Sequence, residues 1–156
     1  MPQTPARLFV LLALLVFSFA CGGDDDPTNP SGGNPSGGQG PVTATIDGTG
    51  YVAAFANVSS AAGQTYVNAA GSSPVWAVGF TFPSAAGTYT FGVGQPVSGA
   101  VTLGSASWVG GNTNGSGTIV VTAFEDHRVA GTFDFVAIGT NPTELSVTNG
   151  QFDITF

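Results

Sequence analysis

GSGTIVVTAFEDHRVAGTFDFVA, residues 115–137, is the stretch that decides the fold class. Two runs rich in β-branched and aromatic residues flank a short polar centre, Glu125-Asp126-His127-Arg128. Successive side chains on a strand point to opposite faces. Val129, Gly131, Phe133 and Phe135 therefore share one apolar face, while Arg128, Thr132 and Asp134 point the other way. A turn centred on Asp126-His127 sets Glu125 opposite Arg128, Phe124 opposite Val129 and Val120 opposite Phe133. An opposite-charge pair at such a position contributes about 0.2–1 kcal/mol. The segment reads as an antiparallel hairpin.

Working outward, the same grammar recurs. Asn149-Gly150 is a type I′ turn signal, because both central residues of that turn need φ > 0. A two-residue loop there pairs Val147 with Phe152 and Leu145 with Ile154, and puts all four on one face. Trp76, Val78, Phe80 and Phe82 alternate strictly, as do Tyr89, Phe91 and Val93. Both read as core stripes. SAAGQTY (60–66) and SAAGTY (84–89) echo each other and read as a reused turn. From Val42 onward no window has helical spacing with cap signals. Ten strands are expected: 42–47, 51–58, 64–71, 74–82, 87–93, 100–109, 117–125, 128–137, 143–148 and 151–156. Short connections imply antiparallel neighbours. The fold class is all-β: an antiparallel meander of about ten strands, as a β-sandwich or a partly open β-barrel, because strongly twisted open sheets rarely grow so large.

Composition bounds the chemistry. The chain has 156 residues with 42% hydrophobic, which is ample material for one core. It has no Lys, two Arg, nine acids, one His and one Cys. Loss of residues 1–20 would leave Arg128 as the only Arg against those acids. That balance repels phosphate backbones, so no nucleic-acid partner is expected. One Cys gives no disulfide within the chain, and the sequence offers no metal site built from Cys or His.

The N-terminus is organised for export. Residues 1–7 carry Arg7, and residues 8–20 (LFVLLALLVFSFA) are an unbroken apolar run. A membrane-spanning helix needs about 20 residues and a signal-peptide core about 7–15, so the run fits a signal peptide. Residues 22–41 (GGDDDPTNPSGGNPSGGQGP) offer nothing apolar to bury apart from Pro, and read as a flexible tether with an r.m.s. span of about 25 Å. Asp24, Asp25 and Asp26 have the ligand type for a hard cation such as Ca²⁺, but a solvated charge run is the simpler reading. The expected organisation is a signal peptide over 1–20, Cys21 plus tether over 21–41, and an all-β domain over 42–156.

Two resemblances add to this. Ser18-Phe19-Ala20-Cys21 resembles the lipobox of bacterial lipoproteins, with Ala20 and Cys21 at the matching positions. This implies that Cys21 becomes the mature N-terminus and carries acyl chains such as palmitate; Gly22 after it implies the outer membrane, and the Asp run resembles surface-export signals. The domain itself resembles an uncharacterised family of small bacterial lipoprotein domains, known mainly from Bacteroidetes-like and related bacteria. The matching pieces are Asp47-Gly48-Thr49-Gly50-Tyr51-Val52-Ala53, Gly87-Thr88-Tyr89, residues 117–122, Arg128-Val129-Ala130-Gly131-Thr132-Phe133, and Asn149-Gly150-Gln151-Phe152. That family implies architecture and localisation, and no activity.

Catalytic constellations are not legible. His127 is the only His and reads as a solvated hairpin-tip residue. The domain's acids, Asp47, Glu125, Asp126, Asp134, Glu144 and Asp153, form no evident pair for glycoside hydrolysis. No Gly-rich phosphate loop leads into a helix. No enzyme activity and no cofactor are expected. The expected function is a lipid-anchored, surface-exposed binding or interaction module. A glycan or a protein at the cell surface is its expected partner, beside the membrane that Cys21 would engage. Trp108 and Trp76 are the candidate ligand-binding residues, each with core packing as the competing role. A structural envelope component, and a carrier of a small apolar ligand inside a β-barrel, are the alternatives.

Overall fold

The computed structural model describes residues 42–72 and 75–156. The apolar run, Cys21 and the tether lie outside the described residues. Ten strands form: β1 (Val42–Ile46), β2 (Thr49–Ala61), β3 (Gln64–Gly71), β4 (Trp76–Pro83), β5 (Gly87–Thr90), β6 (Ser98–Leu103), β7 (Ala106–Gly111), β8 (Ser116–Glu125), β9 (Arg128–Ile138) and β10 (Glu144–Thr155). All pairings are antiparallel within one sheet, in the order β10-β1-β2-β3-β4-β6-β7-β9-β8-β5. β10 also pairs with β9, so the sheet turns back on itself and is ring-like. It stops short of a regular barrel because β7 meets β9 only at Val109–Ile138, and β8 takes over that edge of β9 from Val136 onward. β5 then pairs with β8, so the chain is not a pure meander.

Local sequence explains the turns. Asp47-Gly48 and Ala62-Gly63 both take positive φ at two successive residues, the requirement of a tight hairpin turn that follows strand twist. The echoing Ser-Ala-Ala-Gly segments meet in space: the Ser84 amide donates to the Gly63 carbonyl, and Thr65 Oγ1 lies 3.0 Å from Ser60 Oγ and 2.9 Å from Ser84 Oγ. Thr65 is fully buried, and this hydroxyl chain satisfies it.

The expected 115–137 hairpin forms. Glu125 faces Arg128 and Phe124 faces Val129 across Asp126-His127. Further along the register differs from expectation: Phe133 faces Ile119, not Val120. A bulge between Val121 and Ala123 adds one residue to β8, and Thr122 Oγ1 donates to the Ala130 carbonyl there at 3.1 Å.

Two other expectations are corrected. The stretch 100–109 is two strands, β6 and β7, joined at Gly104-Ser105, where Gly104 supplies φ 58°. The reverse holds at the C-terminus, where 143–148 and 151–156 are a single strand, β10. Asn149 does take a left-handed φ of 52°, but as a β-bulge and not a hairpin tip. Val147 faces Phe135 and Gly150 faces Phe133, so β10 carries one extra residue against β9. β1 keeps pairing across the same point, with Thr45 opposite Thr148 and Thr43 opposite Gln151. Asp134 Oδ1 accepts the Asn149 amide at 2.8 Å and holds the bulge open.

The concave side is filled. Phe80 lies 4.7 Å from Phe133 and 5.2 Å from Phe152, centroid to centroid, and Phe91 lies 5.6 Å from Phe135. Each such pair adds about 0.5–1.5 kcal/mol beyond the area it buries. Ile46, Val67, Val78, Val101, Ile119, Leu145, Val147 and Ile154 complete the core.

Candidate functional site

The strands that line this core present their alternate residues outward. On β2, β3, β4, β6 and β7 these outward residues form three rungs. One runs Ser59, Tyr66, Thr81 and Ser98, and ends against the buried Gly111. The next runs Asn57, Asn68, Gly79, Ala100, Val109. The third runs Phe55, Ala70, Ala77, Thr102, Ser107. Neighbouring strands are about 4.8 Å apart, so five of them make a face about 19 Å across.

This face is uncharged. Between Asp47 and Glu125 the chain has no Asp, Glu, Lys, Arg or His. The face also shows aromatic surface: Phe55 is 56% and Tyr66 40% exposed. Single exposed apolar side chains are ordinary on a protein surface; here the two aromatic ones lie on a face without charge. Two hollows mark the face. The smaller, about 160 Å³, lies beside Phe55 over Ala70, Ala77 and Ala100. The larger, about 440 Å³, opens at the Tyr66 end, where Gln64, Thr81 and Ser98 meet Gln95 and Asn112 from two loops. Those loops are joined by the Gly94 amide, which donates to Asn112 Oδ1 at 2.9 Å. Thr81 Oγ1 and Ser98 Oγ are 2.8 Å apart. Asn68 lies across Gly79, with its Oδ1 3.0 Å from where a Cβ at Gly79 would stand. Amides, hydroxyls and aromatic rings without formal charge suit hydrogen bonding and stacking with a neutral ligand.

The residues expected from sequence fall elsewhere. Trp108 is 3% exposed. Its Nε1 donates to the Pro142 carbonyl at 2.7 Å, and its ring packs 6.1 Å from that of Trp76. Trp76 is half-buried against the same core. Trp108 is thus a core residue, and Trp76 packs one side against it. His127 is exposed at the β8–β9 tip, beside a hollow of about 570 Å³ shared with Glu125, Asp126 and Arg128. Arg128 is committed to Asp153 by two hydrogen bonds of 2.9 Å, which hold the Asp153 carboxyl below its ordinary range. Glu125 is a looser partner at 3.9 Å. Among the described residues no group of three His, Cys, Asp or Glu could hold a metal ion. The outer face went unread in the sequence, although the gap in charge between Asp47 and Glu125 was a legible sign of it.

Residues 39–154 match a protein family described as Domain of unknown function (DUF6252). No curated protein and no solved structure shows a significant match to the chain.

Proposed function

The chain belongs to the DUF6252 domain family, and from that premise we propose that it is a non-enzymatic binding module, lipid-anchored through Cys21 on the outer membrane, that engages an uncharged partner through its outer face. The observation that carries this reading is the charge-free face of β2, β3, β4, β6 and β7 with Phe55 and Tyr66 exposed on it. An otherwise acidic chain keeps this surface neutral, which spares a neutral partner the cost of stripping water from charge. The phenylalanine-filled interior is the reason a barrel carrier is not adopted. The sequence of the first 41 residues supports the anchor: a short apolar run, Cys21, and a following stretch of Gly, Pro, Ser, Asn, Asp, Thr and Gln only.

Membrane attachment is tested by Cys21→Ser in cells. The expected result is loss of the protein from the membrane fraction, since acyl chains contribute about 0.8 kcal/mol per buried CH₂. Unchanged attachment would remove the lipid anchor from the proposal.

A further inference from the structure

We propose that the Tyr66 end of the outer face binds a neutral oligosaccharide; this rests on the binding-module reading and specifies its ligand. Tyr66 stands between Ser59 and Thr81 on its rung, with Asn57 and Asn68 on the next rung. None of these neighbours is large enough to cover the ring, and it stays 40% exposed. Tyr66 and Asn68 are both exposed, so the Tyr66 hydroxyl and the Asn68 amide are within reach of a ligand on this face. Asn68 Oδ1 lies over Gly79, and Thr81 with Ser98 forms a hydroxyl pair beside it. Gln64 adds an amide at the edge of the 440 Å³ hollow.

The ligand class follows from matching these groups. The C–H face of a sugar ring carries slight positive charge and suits the negative face of an aromatic ring. Its hydroxyls both donate and accept, as side-chain amides and hydroxyls do. Acidic sugars would gain no cation here, because Arg128, the only Arg among the described residues, is engaged with Asp153 on the other side of the ring of strands. A protein partner fits less well. Protein interfaces place aromatic or Arg anchors in a dry centre. Here Asn68, Gly79, Thr81 and Ser98 occupy the centre, and the exposed Phe55 and Val109 sit at its margins.

The test is affinity electrophoresis of the full chain in detergent through gels holding a neutral glucan, mannan or galactan, with alginate as the anionic control. At least one neutral polysaccharide should retard the protein and alginate should not. Tyr66→Ala and Asn68→Ala should each weaken retardation about tenfold, or about 1.4 kcal/mol. Tyr66→Phe should retain most of it, since stacking survives. Thr132→Ala, at an exposed position on β9 across the ring, is the control, and thermal unfolding checks that each variant folds. No retardation by any neutral polysaccharide would overturn the inference, as would retardation that a folded Tyr66→Ala variant leaves unchanged. Binding of the full chain to isolated cell envelopes separates the two levels. If envelopes bind in a Tyr66-dependent way while no polysaccharide does, the sugar assignment falls and the binding module stands. If envelope binding also ignores Tyr66→Ala and Asn68→Ala, both fall.

Discussion

Tyr51 shows how single side chains are fitted to this fold. It sits inside the ring on β2, 3% exposed. Its hydroxyl is buried with no hydrogen bond of good geometry, although the Val78 backbone lies near it. Burial pushes its pKa well above the ordinary tyrosine value. An unsatisfied buried hydroxyl costs about 1–3 kcal/mol, so removing it stabilises when the ring's packing is kept. Tyr51→Phe should therefore raise Tm, by about 4 °C for about 1 kcal/mol. The pH dependence has a defined sign. Below about pH 10 the hydroxyl is protonated in both the folded and unfolded chain. Above that, the unfolded chain releases the proton and the folded one holds it, so stability falls as pH rises. Tyr51→Phe should flatten this alkaline limb in denaturant titrations between neutral and strongly alkaline pH. A lower Tm, or an unaltered alkaline limb, would show that the hydroxyl is satisfied in solution.

At the scale of elements, the three bulges matter most. In each, the buried positions change parity partway along a strand. β10 buries Leu145 and Val147 and then Phe152 and Ile154. A two-residue hairpin at Asn149-Gly150 would put the same four side chains on one face, so apolar alternation fits both structures equally. The residue that separates them is Gly150. A Cβ there would run into the Phe133 carbonyl and ring, because β10 stays packed against β9 at that point. Gly150→Ala should cost about 1–3 kcal/mol as overpacking. Asn149→Gly should stay within about 0.5 kcal/mol, since Gly accepts the left-handed φ and keeps the amide that Asp134 accepts. Urea unfolding measures both; equal losses at the two positions would contradict the bulge. β2 and β8 change parity in the same way, Tyr51 to Ala56 and Val121 to Phe124. β content and inward-facing residues were thus legible in sequence, but the division of 100–109 into β6 and β7 and the continuity of β10 were not. Register beyond each bulge was not, because one extra residue leaves no mark in composition. The candidate tryptophans illustrate the matching limit for the site: core packing and ligand binding both fit a Trp in a strand, and sequence alternation does not separate the two roles.

Across the whole molecule, charge and pairing strength are both uneven, and they divide the ring differently. Among the described residues the acids and Arg128 lie at the β1–β2 turn, at the β8–β9 tip and on β8, β9 and β10, leaving the opposite wall neutral. Pairing is fullest at β9 and β10, which pair with each other from Glu144–Ile138 to Thr155–Arg128 and have β8 and β1 on their other edges. It is thinnest at β5, a four-residue strand with β8 as its one partner, and at the single Val109–Ile138 pair that joins β7 to β9. Side chains compensate at that junction. The Trp108 ring occupies the space a Cβ on Gly139 would need, and its Nε1 ties β7 to the Pro142 carbonyl. Local opening follows the density of pairing, so amide exchange should be staged. The amides of β5 should exchange first and those of β9 and β10 last, near the global unfolding limit. Trp108→Phe removes the indole donor while keeping an aromatic in the core. It should speed exchange at Val109 and Ile138 more than at Phe133 or Phe152. Uniform acceleration across all four would mean that Trp108 supports the core as a whole, and that the closure of the ring does not depend on that one side chain.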